Sequence, residues 1–107
     1  MNLYHTTDAE GISLLNPDAD AMRAVLDQLD APDAEDAEHP DVSLIHDASA
    51  WSLSVFPNGT IIFENLEDDD EAPRHLTQIS RHDALQMWQK LAHGEIENLL
   101  ELPWKRD

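Results

Sequence analysis

The chain has no cysteine, three glycines and only six lysines plus arginines among its 107 residues. Each scarcity excludes a class of chemistry. Without cysteine there is no disulfide framework and no thiolate nucleophile. With glycine only at Gly11, Gly59 and Gly94, no loop is rich enough in glycine to cradle phosphate, and no G-x-S-x-G elbow occurs. No apolar run approaches the roughly 18 residues that span a bilayer. The first fifteen residues, MNLYHTTDAEGISLL, contain Asp8 and Glu10 but no Lys or Arg, unlike the basic start of a secretory signal. Together these features lead to the expectation of a cytoplasmic protein that does not enter membranes.

Positive charge is the largest deficit. Twenty-three acids stand against the six cations, a formal charge of −17 with histidines neutral. From Ala24 through Pro73 there are fourteen acidic side chains and no Lys or Arg. A field of this sign repels nucleic acid and anionic lipid and draws basic proteins toward itself. It also serves solubility in a salt-rich cytoplasm, so a regulatory or scaffold domain of an acid-rich proteome is the alternative to a recognition surface.

Hydrophobic residues make up 41% of the chain, enough for one modest core, so a single domain over 1–107 is expected. Ile12 to Leu15 read as a short strand. Asn16 is a candidate N-cap with Pro17 at the first helical position, and Asp18 and Asp20 favour the positive end of the helix dipole. Met22, Val25, Leu26 and Leu29 then line one helical face, so a helix over 17–30 follows. The stretch DAPDAEDAEHPD, residues 30 to 41, has no apolar period and contains Pro32 and Pro40, so it reads as an acidic loop.

Strand signals come next. VSLIH at 42–46 is one, and WSLSVF at 51–56 alternates, with Trp51, Leu53 and Val55 on one face and Ser52 and Ser54 on the other. Pro57-Asn58-Gly59 turns the chain into TIIFENL at 60–66, and Asn-Gly predicts a two-residue hairpin loop. That register pairs Val55 with Ile62, Leu53 with Glu64 and Trp51 with Leu66. After a second acidic loop at 64–72, HLTQI at 75–79 offers another strand. Ser80 and Asp83 resemble a capping box, Ala84, Leu85, Trp88, Leu91 and Ala92 form a helical stripe, and Gly94 is a stop signal. Ile96, Leu99 and Leu100 suit a short last helix, ended by Pro103, with Trp104 packing back. The fold class is therefore α+β: an antiparallel sheet of about four strands with helices on one face.

Candidate chemistry is sparse. The run ENLEDDDEA, residues 64 to 72, holds six carboxylates in nine positions. They are contiguous rather than spaced D-x-D-x-D-G, so a calcium loop does not fit. His5, His39, His46, His75, His82 and His93 show no spacing that sets two ligands on one helical face. His46 is expected to point with Val42 and Leu44. Glu64, beside Leu53 in the expected register, is a lone carboxylate and makes a poor acid–base pair. No enzyme activity, metal or cofactor is expected. Trp51 and Trp88 read as core; Trp104 is either core or an exposed anchor.

The segment WSLSVFPNGTIIFENL followed by ISRHDALQMWQKLAHGEIENLLELPW resembles small immunity proteins of bacterial polymorphic toxins, particularly those paired with nucleic-acid deaminase toxins. Such proteins end with a helix, a glycine-containing turn and a near-terminal Trp. The likeness covers about residues 42 to 104, and Glu64, Gly94 and Trp104 match best. It implies an antidote that binds a basic cognate toxin and occludes its active site. The residues expected to meet that partner are Asp33, Glu35, Asp36 and Glu38 in the first acidic loop. The second loop adds Glu64, Glu67, Asp68, Asp69, Asp70 and Glu71, with Trp104 as an anchor.

Overall fold

The computed structural model describes residues 4–8, 10–30, 41–68 and 73–106. Strands β1 (Tyr4–Thr7) and β2 (Ser13–Leu15) form a first hairpin, and helix α1 (Ala19–Asp27) runs on into a 3-10 turn over Gln28–Asp30. Strands β3 (Val42–His46), β4 (Trp51–Val55) and β5 (Ile61–Asn65) make a meander, joined by β6 (Arg74–Leu76). Helices α2 (Arg81–Ala92) and α3 (Ile96–Leu100) follow, and the two-residue β7 (Lys105–Arg106) returns to the sheet. The order is β2-β1-β3-β4-β5-β6-β7, antiparallel at every step. The α+β class is as expected. The strand count is larger than about four: β2 matches the short strand expected at 12–15, and β1 and β7, which no sequence signal announced, add to the sheet.

Side-chain alternation puts the core on one face of this sheet. Val42, Leu44, Leu53, Val55, Ile61 and Phe63 are fully buried there, in one cluster with Ala84, Trp88 and Leu91 of α2 and Leu99 of α3. Each Val, Leu, Ile and Phe among them contributes about 1.5–3 kcal/mol by leaving water. Trp88 is both filler and tie, since its Nε1 donates to the Leu53 carbonyl at 3.0 Å. Met22, Val25, Leu26 and Leu29 are buried in the same cluster, as their spacing requires. The opposite face carries His5, Thr7, Ser43, Ile45, Ser52, Ser54, Ile62 and Glu64, and among the described residues no helix covers it.

Two local readings are corrected. The N-cap of α1 is Asp18, whose Oδ1 accepts from the Ala21 N–H at 2.9 Å. Asn16 instead sits in the left-handed region at φ 50°, which its short amide tolerates better than most side chains. There it closes the first hairpin: its N–H donates to the Tyr4 carbonyl at 2.8 Å, and its Oδ1 accepts from the Tyr4 N–H at 3.0 Å. Pro17 lies outside the helix and takes a bond from the Tyr4 hydroxyl on its carbonyl at 2.8 Å.

The second correction is the β4–β5 register. Val55 pairs with Ile61, Leu53 with Phe63 and Trp51 with Asn65, one residue from expectation. A two-residue Asn-Gly loop requires the preceding residue to donate its N–H to Thr60, and Pro57 has none. Phe56 donates instead, to the Thr60 carbonyl at 2.9 Å, and Gly59 donates to the Phe56 carbonyl at 3.1 Å. The result is a three-residue loop with Pro57 leading the turn and Gly59 at φ 88°. Glu64 consequently faces Ser52 on the open side, away from Leu53.

Helix α2 follows its sequence signals. Ser80 Oγ accepts from the Asp83 N–H at 3.1 Å. At the other end Gly94 adopts φ 76°, donating to Leu91, and Glu95 donates to Lys90, both at 2.9 Å. That bond pair is a Schellman motif, which satisfies two carbonyls of the last turn.

Candidate functional site

The acidic surface divides into a described part and a part outside it. Asp33, Glu35, Asp36, Glu38, Asp69, Asp70 and Glu71 lie outside the described residues. Glu64 is half-buried on the open face of β5, while Glu67 and Asp68 are exposed just beyond the strand. Asn65 holds the start of that loop. Its Oδ1 accepts from the N–H groups of Glu67 and Asp68 at 2.9 and 3.0 Å, and its Nδ2 donates to the Ser49 carbonyl at 3.1 Å. Two carboxylates are thereby fixed at the end of the β4–β5 pair, next to the β3–β4 turn.

Trp104 is built into the fold. Its ring stacks on Phe63 at 5.3 Å between centroids, Phe63 stacks on Trp51 at 4.5 Å, and its Nε1 donates to the Leu99 carbonyl at 2.6 Å. The Arg74 guanidinium lies 5.5 Å from the Trp51 ring centre, within cation–π range. Because Phe63 points into the core and Glu64 away from it, Trp104 and Glu64 flank β5 from opposite faces. The structure therefore groups Glu64, Glu67 and Asp68 at one end of the sheet and sets Trp104 behind it.

No described Asp or Glu is buried. Asp30 pairs with Arg81 at 3.2 Å, where the guanidinium also donates to the Pro57 carbonyl at 2.8 Å. Asp47 pairs with His5 at 2.9 Å. Such partly exposed pairs contribute about 0–1 kcal/mol each and leave the overall field negative. Among the described residues no three His, Asp or Glu side chains converge as metal ligands would. His46 is buried with Val42 and Leu44, as expected, and shares a 2.7 Å hydrogen bond between Nδ1 and Ser49 Oγ. Among the described residues, no helix is long and apolar enough to cross a membrane.

Comparison with family models, with curated proteins and with solved structures returned no match. The residues alone carry the functional reading.

One feature escaped the sequence reading. Ile12, Leu14 and Leu15, read from the sequence as a short strand with no burial assigned, are 54%, 41% and 71% exposed. An apolar run next to a turn reads as buried strand by composition; only its place at the end of the sheet order reverses that. The signal available beforehand was its length, since a four-residue stretch with three apolar side chains, flanked by Gly11 and Asn16, can cover little core.

Proposed function

We propose that this protein is an immunity protein, a non-enzymatic antidote that binds a basic toxin acting on nucleic acid and occludes its active-site cleft. The observation that carries this reading is the uncompensated charge: fourteen acids and no Lys or Arg between Ala24 and Pro73. The exposed placement of Glu67 and Asp68 supports it, because carboxylates at the surface contribute to the field that steers a partner from a distance. An enzyme that handles nucleic acid needs a cationic groove, and an anionic surface is complementary to one.

The direct experiment is to read the gene immediately upstream for a toxin module and to co-express the protein with such a module, scoring rescue of growth. Rescue is the expected result, and failure to rescue removes the antidote reading. Replacing Asp68, Asp69 and Asp70 together by Lys should slow association with that toxin and flatten its salt dependence. An unchanged on-rate would remove the electrostatic part. The scarcity of Lys also fits a scaffold domain adapted to salt. That reading expects a melting temperature that climbs steeply with salt and no stoichiometric basic partner.

A further inference from the structure

We propose that the outer edge of β2 is a docking strand for an extended, cationic segment of a partner protein, which adds to the sheet by antiparallel or parallel pairing. Hydrogen bonding sets the geometry. Asp8 N–H donates to the Ile12 carbonyl at 3.0 Å and Asn16 N–H to the Tyr4 carbonyl at 2.8 Å, with Thr6 opposite Leu14 between them. By the alternation of an antiparallel ladder, Ile12, Leu14 and Asn16 turn their peptide groups toward β1. Ser13 and Leu15 then turn theirs outward, where among the described residues no strand meets them. Two N–H and two C=O groups are presented in line.

Side chains make this edge adhesive. Of the five large hydrophobic residues exposed among the described residues, Ile12, Leu14 and Leu15 account for three. Leu15 projects on the open face with His5, and Leu14 on the face shared with Thr6, so an added strand meets apolar surface on both sides. Apart from its short length, the devices that protect edges are missing from ISLL: it has no Lys or Pro, and its pairing with β1 has no bulge.

Charge selects the occupant. Asp8, Glu10, Asp18 and Asp20 flank the strand in sequence, and no Lys or Arg precedes Arg23. A second copy would bring the same four carboxylates against themselves, with −17 on each chain. A segment with Lys or Arg flanking a few apolar residues carries the charge complementary to these acids. This inference takes from the proposed function only the sign of the partner's charge; it does not depend on the partner being a toxin.

The test uses the full chain and a labelled, end-blocked strand peptide alternating Val with Lys, compared with its Val–Glu counterpart by fluorescence anisotropy. The Lys peptide should bind at least about tenfold more tightly, and binding should shift and slow the exchange of the Ser13 and Leu15 amides. Ser13→Pro removes one outward N–H that the β1–β2 ladder does not use, and Leu15→Lys places a like charge in the seat. Each should weaken the Lys peptide about tenfold or more while thermal melting of the Leu15→Lys protein stays put. Equal binding to both variants, equal binding of the Glu peptide, or no binding overturns the proposal. So does a wild-type dimer that Leu15→Lys converts to monomer, which assigns the edge to a second copy. None of these results bears on growth rescue, so the antidote reading is judged separately.

Discussion

At one end of the sheet β7 consists of Lys105 and Arg106, backed by Trp104, Phe63 and Trp51 stacked in series. At the other end β2 consists of Ser13, Leu14 and Leu15, every one exposed, held by β1 and the Asn16 corner. Both are edges of the same sheet, yet they handle the same problem in opposite ways. The β7 end is too short and too cationic to template a neighbour, and an aromatic ladder fastens the chain that leads into it to the core. The β2 end is apolar, acidic around its rim and anchored by backbone bonds. Edges with unpaired peptide groups are a hazard unless they are blunted or used, and only the first of these is blunted.

The sharpest way to break the contrast is Phe63→Ala. Phe63 is fully buried and is the middle ring of the stack, so its loss should cost about 3–5 kcal/mol in chemical denaturation. A loss below about 1 kcal/mol would mean that the ladder does not support the β7 end. Trp104→Ala comes next. Its half-buried ring and its bond to Leu99 should together be worth about 1–3 kcal/mol, below the range for a fully buried Trp. Amide exchange should quicken in β6 and β7 and leave β1 and β2 unchanged. Equal quickening at both ends would dissolve the comparison.

Asn16→Ala tests the other corner. It removes the side-chain bond to Tyr4 and places a Cβ without a compensating amide at positive φ, for an expected cost of about 1–2 kcal/mol. Asn16→Gly should recover the backbone part but not the hydrogen bond. If Gly and Ala destabilise alike, the left-handed corner is not where the energy lies. The smallest expected effect is Leu15→Lys, a surface change within about 0.5 kcal/mol. Its readout is solubility at high protein concentration, which should rise; a melting temperature several degrees lower would show that Leu15 is packed rather than presented.

Sequence reasoning reached the centre of the fold and missed its margins, for a physical reason. The strands at 42–46 and 51–55, the Ser80 cap and the Gly94 stop are written in local signals that one turn or one alternating run contains. Tyr4–Thr7 has no such pattern: YHTT earns its place through pairing with β3, nearly forty residues away, where Thr6 meets Leu44 and Tyr4 meets His46. The candidate site fared in the same way. Glu67 and Asp68 stand exposed as composition required, but Glu64 changed faces because the loop is one residue longer than Asn-Gly alone implies. Exposure of Ile12 to Leu15 depends on what fails to arrive beside them, and no local pattern records an absent neighbour.

The missing N–H of Pro57 reaches far beyond its turn. With a donor there, the hairpin could close over two residues, and β5 would settle with the opposite parity. Ile62 and Glu64 would then press against the helices, and Phe63 would be turned out to water, leaving the two indoles without the ring between them. A single pyrrolidine ring thus decides between two mutually exclusive interiors for the same strand, only one of which has no carboxylate in it.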